Sequence, residues 1–98
     1  MKLTFTLAMV LCGTTLATTA WCKDDPAAGA KLYSANCTAC HGADRAGMPG
    51  AFPALTGISK RLQPAQIKEK IRKGGGLMPP FPQLSQQEID DIASYLAN

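Results

Sequence analysis

In the run Cys37-Thr38-Ala39-Cys40-His41, two thiols and an imidazole stand at the spacing that covalent attachment of a c-type haem requires. Cys37 and Cys40 are placed to add to the two vinyl groups of one porphyrin, and the imidazole of His41 then falls beneath the iron. A Cys-x-x-Cys pair also serves thioredoxin-like redox chemistry and can supply half of a zinc site. Zinc needs four ligands, yet the chain has one His and no second Cys-x-x-Cys, so a protein-only tetrahedral site is hard to assemble. A thioredoxin-like reading needs strands alternating with helices, and the sequence has no strand pattern. Haem attachment is the reading these five residues favour.

A second axial ligand follows from the same chemistry, and a thioether suits a low-spin electron carrier of raised potential. Met78 is the first candidate. It follows Gly74-Gly75-Gly76, which lets the chain reverse and approach a porphyrin closely, and it precedes Pro79-Pro80, which pushes its backbone toward a stiff extended form. Met48, before Pro49, is the competitor, but it lies only seven residues beyond His41, a short path around a haem rim to the opposite face. An open or water-filled position is the remaining alternative.

The elements that would position these groups read as all-α: three or more short helices and ordered loops wrapped around one covalently bound haem. Asp25-Pro26 gives an N-cap acceptor and a proline at the first helical position, and the helix runs to about Asn36 with Leu32 and Tyr33 as its apolar contacts. Gly29, four residues before Tyr33, permits close approach of another helix. A second helix is predicted from Gln63-Pro64 to Lys73, with Ile67 and Ile71 one turn apart and the glycine triplet stopping it. Ser85-Gln86-Gln87-Glu88 fits a capping box, and Ile89, Ile92, Ala93 and Leu96 follow at the spacing of one buried helical face.

Residues 1–20 read as a secretory signal peptide: a basic start at Lys2, an apolar run from Leu3 to Leu11, and a Thr/Ala-rich cleavage region ending at Ala20. Cleavage as late as Cys22 also fits. Residues 21–98 then form one domain, exported to the periplasm. Cys12 leaves with the signal. Cys22 offers a possible lipid tether, against which stands Trp21, since that processing wants a small preceding side chain. A chain of this mature length is near the lower limit for a self-sufficient core, about 70–80 residues, and a buried porphyrin is the kind of staple such chains need.

The sequence resembles the small bacterial class I cytochromes c. The likeness covers residues 26 to 98, through Cys37-Thr-Ala-Cys40-His41, Phe52-Pro53-Ala54-Leu55-Thr56-Gly57, Leu77-Met78-Pro79 and a last helix ending Tyr95-Leu96. It implies the cytochrome c fold, one haem c held through Cys37 and Cys40, and His41/Met78 as axial ligands. It further implies that Pro53 offers its carbonyl to the other ring nitrogen of His41, that Leu55 packs on the porphyrin, and that Gly29 and Tyr33 cross the Tyr95-Leu96 end of the last helix. One departure stands out. Many members use a Trp on a haem propionate, whereas the only Trp here is Trp21; Arg45, Arg61 and Arg72 are candidate replacements.

The formal net charge is +3. Lys60, Arg61, Lys68, Lys70, Arg72 and Lys73 face only Glu69 in residues 60–73, which would steer acidic redox partners, although a solvated helix face explains the pattern as well. Nucleic acid is excluded as a partner by export and by the lack of interleaved aromatic and basic residues. The sequence therefore predicts a monomeric, non-enzymatic carrier that shuttles single electrons between redox proteins. The alternatives are an electron-accepting subunit bound to a periplasmic dehydrogenase or respiratory oxidase complex, and a haem enzyme or ligand sensor with an open iron site.

Overall fold

The computed structural model describes residues 23–98; the expected signal peptide, Cys12, Trp21 and Cys22 lie outside the described residues. Four α-helices follow in order: α1 (Pro26–Asn36), α2 (Thr38–His41), α3 (Pro64–Lys73) and α4 (Gln86–Leu96), with a 3-10 turn at Ile58–Lys60 before α3. Long ordered loops join them, and among the described residues the only β-type pairings are two isolated bridges, Met48 with Phe52 and Gly75 with Met78.

Helix α1 begins where its cap dictates. The Asp25 carboxylate accepts from the N–H groups of Ala27 and Ala28 at 2.9 and 3.3 Å, and Pro26 occupies the position whose N–H would have no partner. Its buried positions are Gly29 and Tyr33, one turn apart. A Cβ on Gly29 would stand 1.9 Å from the Asp91 carbonyl oxygen and 2.9 Å from the Tyr95 Cβ, so α1 and α4 meet backbone to backbone at this point. The Tyr33 and Tyr95 rings lie 5.4 Å apart and tilted by 55°, an attractive aromatic geometry.

Helix α4 carries the predicted reciprocal cap: the Ser85 hydroxyl accepts from the Glu88 N–H at 3.1 Å, and the Glu88 carboxylate accepts from the Ser85 N–H at 2.9 Å. Ile89, Ile92, Ala93 and Leu96 are all buried, as their spacing requires. Asp91 is buried too, which the pattern of apolar residues does not foresee. Its Oδ1 accepts from the Asp25 N–H and from the Gln87 side chain, each at 2.9 Å, so the carboxylate is compensated while it ties the start of α1 to α4.

Ile67 and Ile71 of α3 face the same core, and Lys68 pairs with Asp90 of α4 at 3.1 Å. With Tyr33 and Ile58 these residues close one apolar cluster, against which Leu55, Met78 and Phe81 pack while remaining partly exposed. The cluster is thus one-sided: α1, α3 and α4 form its floor, and the loops after α2 and α3 rise from it as two walls.

Candidate functional site

Helix α2 is a single turn, and it is the turn that aims the chemistry. Cys37 caps α1 through its N–H to the Tyr33 carbonyl at 2.8 Å, and its own carbonyl accepts from His41 at 2.9 Å. This winds Cys37, Cys40 and His41 onto one short helical surface. Gly42 ends the turn with φ 82°, and its carbonyl accepts from the Tyr33 hydroxyl at 2.7 Å. The 37–41 segment is therefore clamped to α1 at both ends. Burial pushes the Cys37 thiol up to about 11, with a further push from nearby Cys40.

The loop after Gly42 folds back over His41. The Gly47 N–H donates to the His41 carbonyl at 2.8 Å, Met48 and Phe52 exchange N–H and C=O bonds at 2.9 and 2.8 Å, and Leu55 donates to the Arg45 carbonyl at 2.7 Å. The result sets the Pro53 carbonyl 3.1 Å from His41 Nδ1. A carbonyl can only accept, so Nδ1 is the donor of this pair, and in the neutral ring this leaves the Nε2 lone pair for a metal.

Opposite stands the loop after α3. Gly74 leaves the helix with φ 68°, and Gly75 and Met78 exchange bonds of 2.9 and 3.0 Å across a tight turn. A Cβ on Gly74 would fall 2.4 Å from the Met78 carbonyl oxygen, so the close return of the chain needs glycine here. Between the two loops lies a crevice in two compartments. The outer one, about 270 Å³, is lined by Cys37, Cys40, His41, Phe52, Met78 and Phe81 among others. The inner one, about 160 Å³, reaches Leu55, Ile67, Ile71 and Ile92. Cys37, His41, Pro53 and Met78 line both compartments. Met48 lines neither and is 54% exposed.

Two thiols on one rim, a free imidazole nitrogen on one wall and a thioether on the other, above an apolar floor, fit a flat, covalently tethered iron porphyrin. The family described as cytochrome C oxidase, cbb3-type, subunit III matches residues 24–96. The chain belongs to the small class I cytochromes c. It is 41% identical over 80 residues to cytochrome c-554(548) of Halomonas halodenitrificans, a match covering 76% of this chain and 95% of that one. It is 39% identical over 75 residues to cytochrome c-550 of Bacillus subtilis, covering 76% of this chain but only 60% of the longer relative. Among solved structures it is similar to cytochrome c6 of the diatom Phaeodactylum tricornutum, with a TM-score of 0.61 and 29% identity over 74% of this chain and 91% of that one. Family membership brings covalently bound haem c with it.

In this cytochrome the three arginines weighed as substitutes for the missing Trp are engaged away from the crevice, and none lines either compartment. Arg45, itself at φ 63°, reaches the end of α4, donating to the Asn98 carbonyl at 2.9 Å and lying 4.9 Å over the Tyr95 ring. Arg61 donates to the Ala54 carbonyl at 2.9 Å, and Arg72 is bound by Glu69 and Gln86. Both Arg45 and Arg61 therefore hold the loop that carries Pro53 and Leu55. The cation that does reach the crevice is Lys70, which lines both compartments. Reading residues 60–73 only as a run of charge hides it, but Lys70 follows Ile67 by three positions and precedes Ile71, on the flank of the buried face. Phe81, in a proline-rich loop, likewise has no periodic context that would single it out.

Proposed function

We propose that this cytochrome is an exported single-electron carrier with one haem, held by thioethers at Cys37 and Cys40 and ligated by His41 and Met78. The observation that carries the reading is that His41 and Met78, from the loops after α2 and α3, line the same two compartments of a crevice that Met48 does not line. Bound haem c supplies the one-electron Fe(II)/Fe(III) couple. The chain's own residues bind and orient: Pro53 fixes the His41 ring, and the glycine turn and prolines hold Met78 in place. Leu55 and the inner isoleucines exclude water. No proton-transferring group is needed, because both ligands stay attached as the charge changes.

The partners on this reading are other redox proteins. Among the described residues no helix is long and apolar enough to cross a membrane, and the signal-like residues 1–20 support a periplasmic location. Steering by the basic stretch is modest, since Lys68 pairs with Asp90, and Arg72 and Lys73 both pair with Glu69. A second reading, a carrier bound as a subunit of an oxidase, is favoured by the description of the matching family and by Leu77, 81% exposed at the crevice mouth. Co-purification with a larger redox complex at physiological salt separates the two.

Met78→Ala tests the ligation. The wild-type protein is expected to show the weak near-infrared charge-transfer band of a Met-ligated ferric haem and to leave carbon monoxide unbound when reduced. The variant is expected to lose the band and bind carbon monoxide. An unchanged spectrum in Met78→Ala removes Met78 from the site, and ready carbon monoxide binding by the wild type favours an enzyme or sensor with an open iron.

A further inference from the structure

Of the four basic residues of α3, three have acidic partners: Lys68 with Asp90, and Arg72 and Lys73 with Glu69. Lys70 has no acidic partner among the described residues. Its side chain runs instead along the wall between the two compartments that His41 and Met78 share, and its Nζ lies only 2.6 Å from where a Gly75 Cβ would stand. The ammonium group thus rests against Gly75, at the root of the Met78 turn. Lys70 is exposed, and part of its surface lines this crevice.

We propose that Lys70 is a charge-setting residue of the haem site: its ammonium is a positive charge on the lining of the crevice, and it raises the reduction potential. This rests on the haem-carrier reading above, but not on Met78 as the ligand. The physical argument is short. Reduction adds one electron, supplied by a redox protein partner, and so lowers the charge of the site by one. A fixed cation beside that site favours the more negative state. Lys68 pairs with Asp90, and Arg72 and Lys73 share Glu69, which leaves Lys70 as the basic residue of that helix that lines the crevice and has no bound carboxylate among the described residues. Arg45, Arg61 and Arg72 are engaged elsewhere and do not line the crevice.

The test is a pair of variants of the holoprotein, Lys70→Gln and Lys70→Arg, with the midpoint potential measured at neutral pH and low salt. Lys70→Gln keeps length and polarity but removes the charge, and is expected to lower the equilibrium constant for reduction about tenfold, read as a fall of about 59 mV for a one-electron couple. Lys70→Arg keeps the charge and is expected to stay near the wild type. The near-infrared band, recorded on all three proteins, reports the sulfur ligand separately, so a wrong ligand assignment would show in the wild-type spectrum while the potentials still judge Lys70. A potential unchanged in Lys70→Gln overturns the proposal, and so does an equal shift in both variants, which would mark a packing effect rather than a charge.

Discussion

Tyr33 shows how one side chain serves both the core and the site. It is 1% exposed, its ring packs at a tilt against Tyr95, and its hydroxyl donates to the carbonyl of Gly42, the residue after His41. Burial above all pushes its pKa from 10.0 up to about 12. The folded state thus keeps a proton that the unfolded chain gives up. The stability from Tyr33 is complete below pH 10 and is lost as pH rises from 10 through about 12. Tyr33→Phe should cost about 1 kcal/mol in urea unfolding at pH 7. The gap between variant and wild type should narrow above pH 10; a gap that stays constant to pH 12 would show that the phenol proton is not involved. The ring was legible in the sequence as an apolar contact of α1, and the hydroxyl was not, because Gly42 becomes its partner only once α2 has turned. The same divide separates Met78 and Met48, which could be weighed by their spacing along the chain, from Lys70, whose place beside the crevice depends on where the glycine turn comes to rest.

At the scale of elements, the crossing of α1 and α4 sets the geometry of everything attached to α1, including the 37–41 turn. Gly29 makes that crossing possible, and two physical rules predict opposite signs for Gly29→Ala. Helix propensity alone would make alanine more stable by about 1 kcal/mol. A Cβ driven into the Asp91 carbonyl and the Tyr95 Cβ would instead force the helices apart, costing about 1–3 kcal/mol as overpacking does. The contact at backbone distance wins, so the expected outcome is a lower urea midpoint at unchanged m; a raised midpoint would mean that α1 and α4 do not touch there. Helices α1, α3 and α4 could be bounded from sequence because each starts at a local signal: Asp25-Pro26, Gln63-Pro64 and the Ser85/Glu88 box. The single turn of α2 and the 3-10 turn at Ile58–Lys60 are too short to show a period. The loop between them takes its shape from Arg45 reaching the chain end at Asn98, a contact 53 residues distant that no local pattern encodes.

For the whole molecule, the distribution of burial argues that the cofactor completes the fold. Eight apolar residues form the buried cluster, and seven of them come from α1, α3 and α4, with Ile58 the one contribution of the loops. Leu55, Met78 and Phe81 pack only partly against that cluster, and their free sides line the crevice. Without a porphyrin to cover them, the two loop walls gain little from ordering, while each ordered residue still costs on the order of 1–2 kcal/mol of backbone entropy. The His41–Pro53 bond and the Gly75–Met78 turn hold each wall to itself, but neither joins one wall to the other. Replacing both Cys37 and Cys40 with Ala, so that no covalent haem can form, should therefore leave a chain without a cooperative far-UV thermal transition, while the holoprotein unfolds in one step. A sharp transition in the haem-free chain would mean that α1, α3 and α4 suffice as a core, and that the porphyrin occupies a fold already made rather than finishing one.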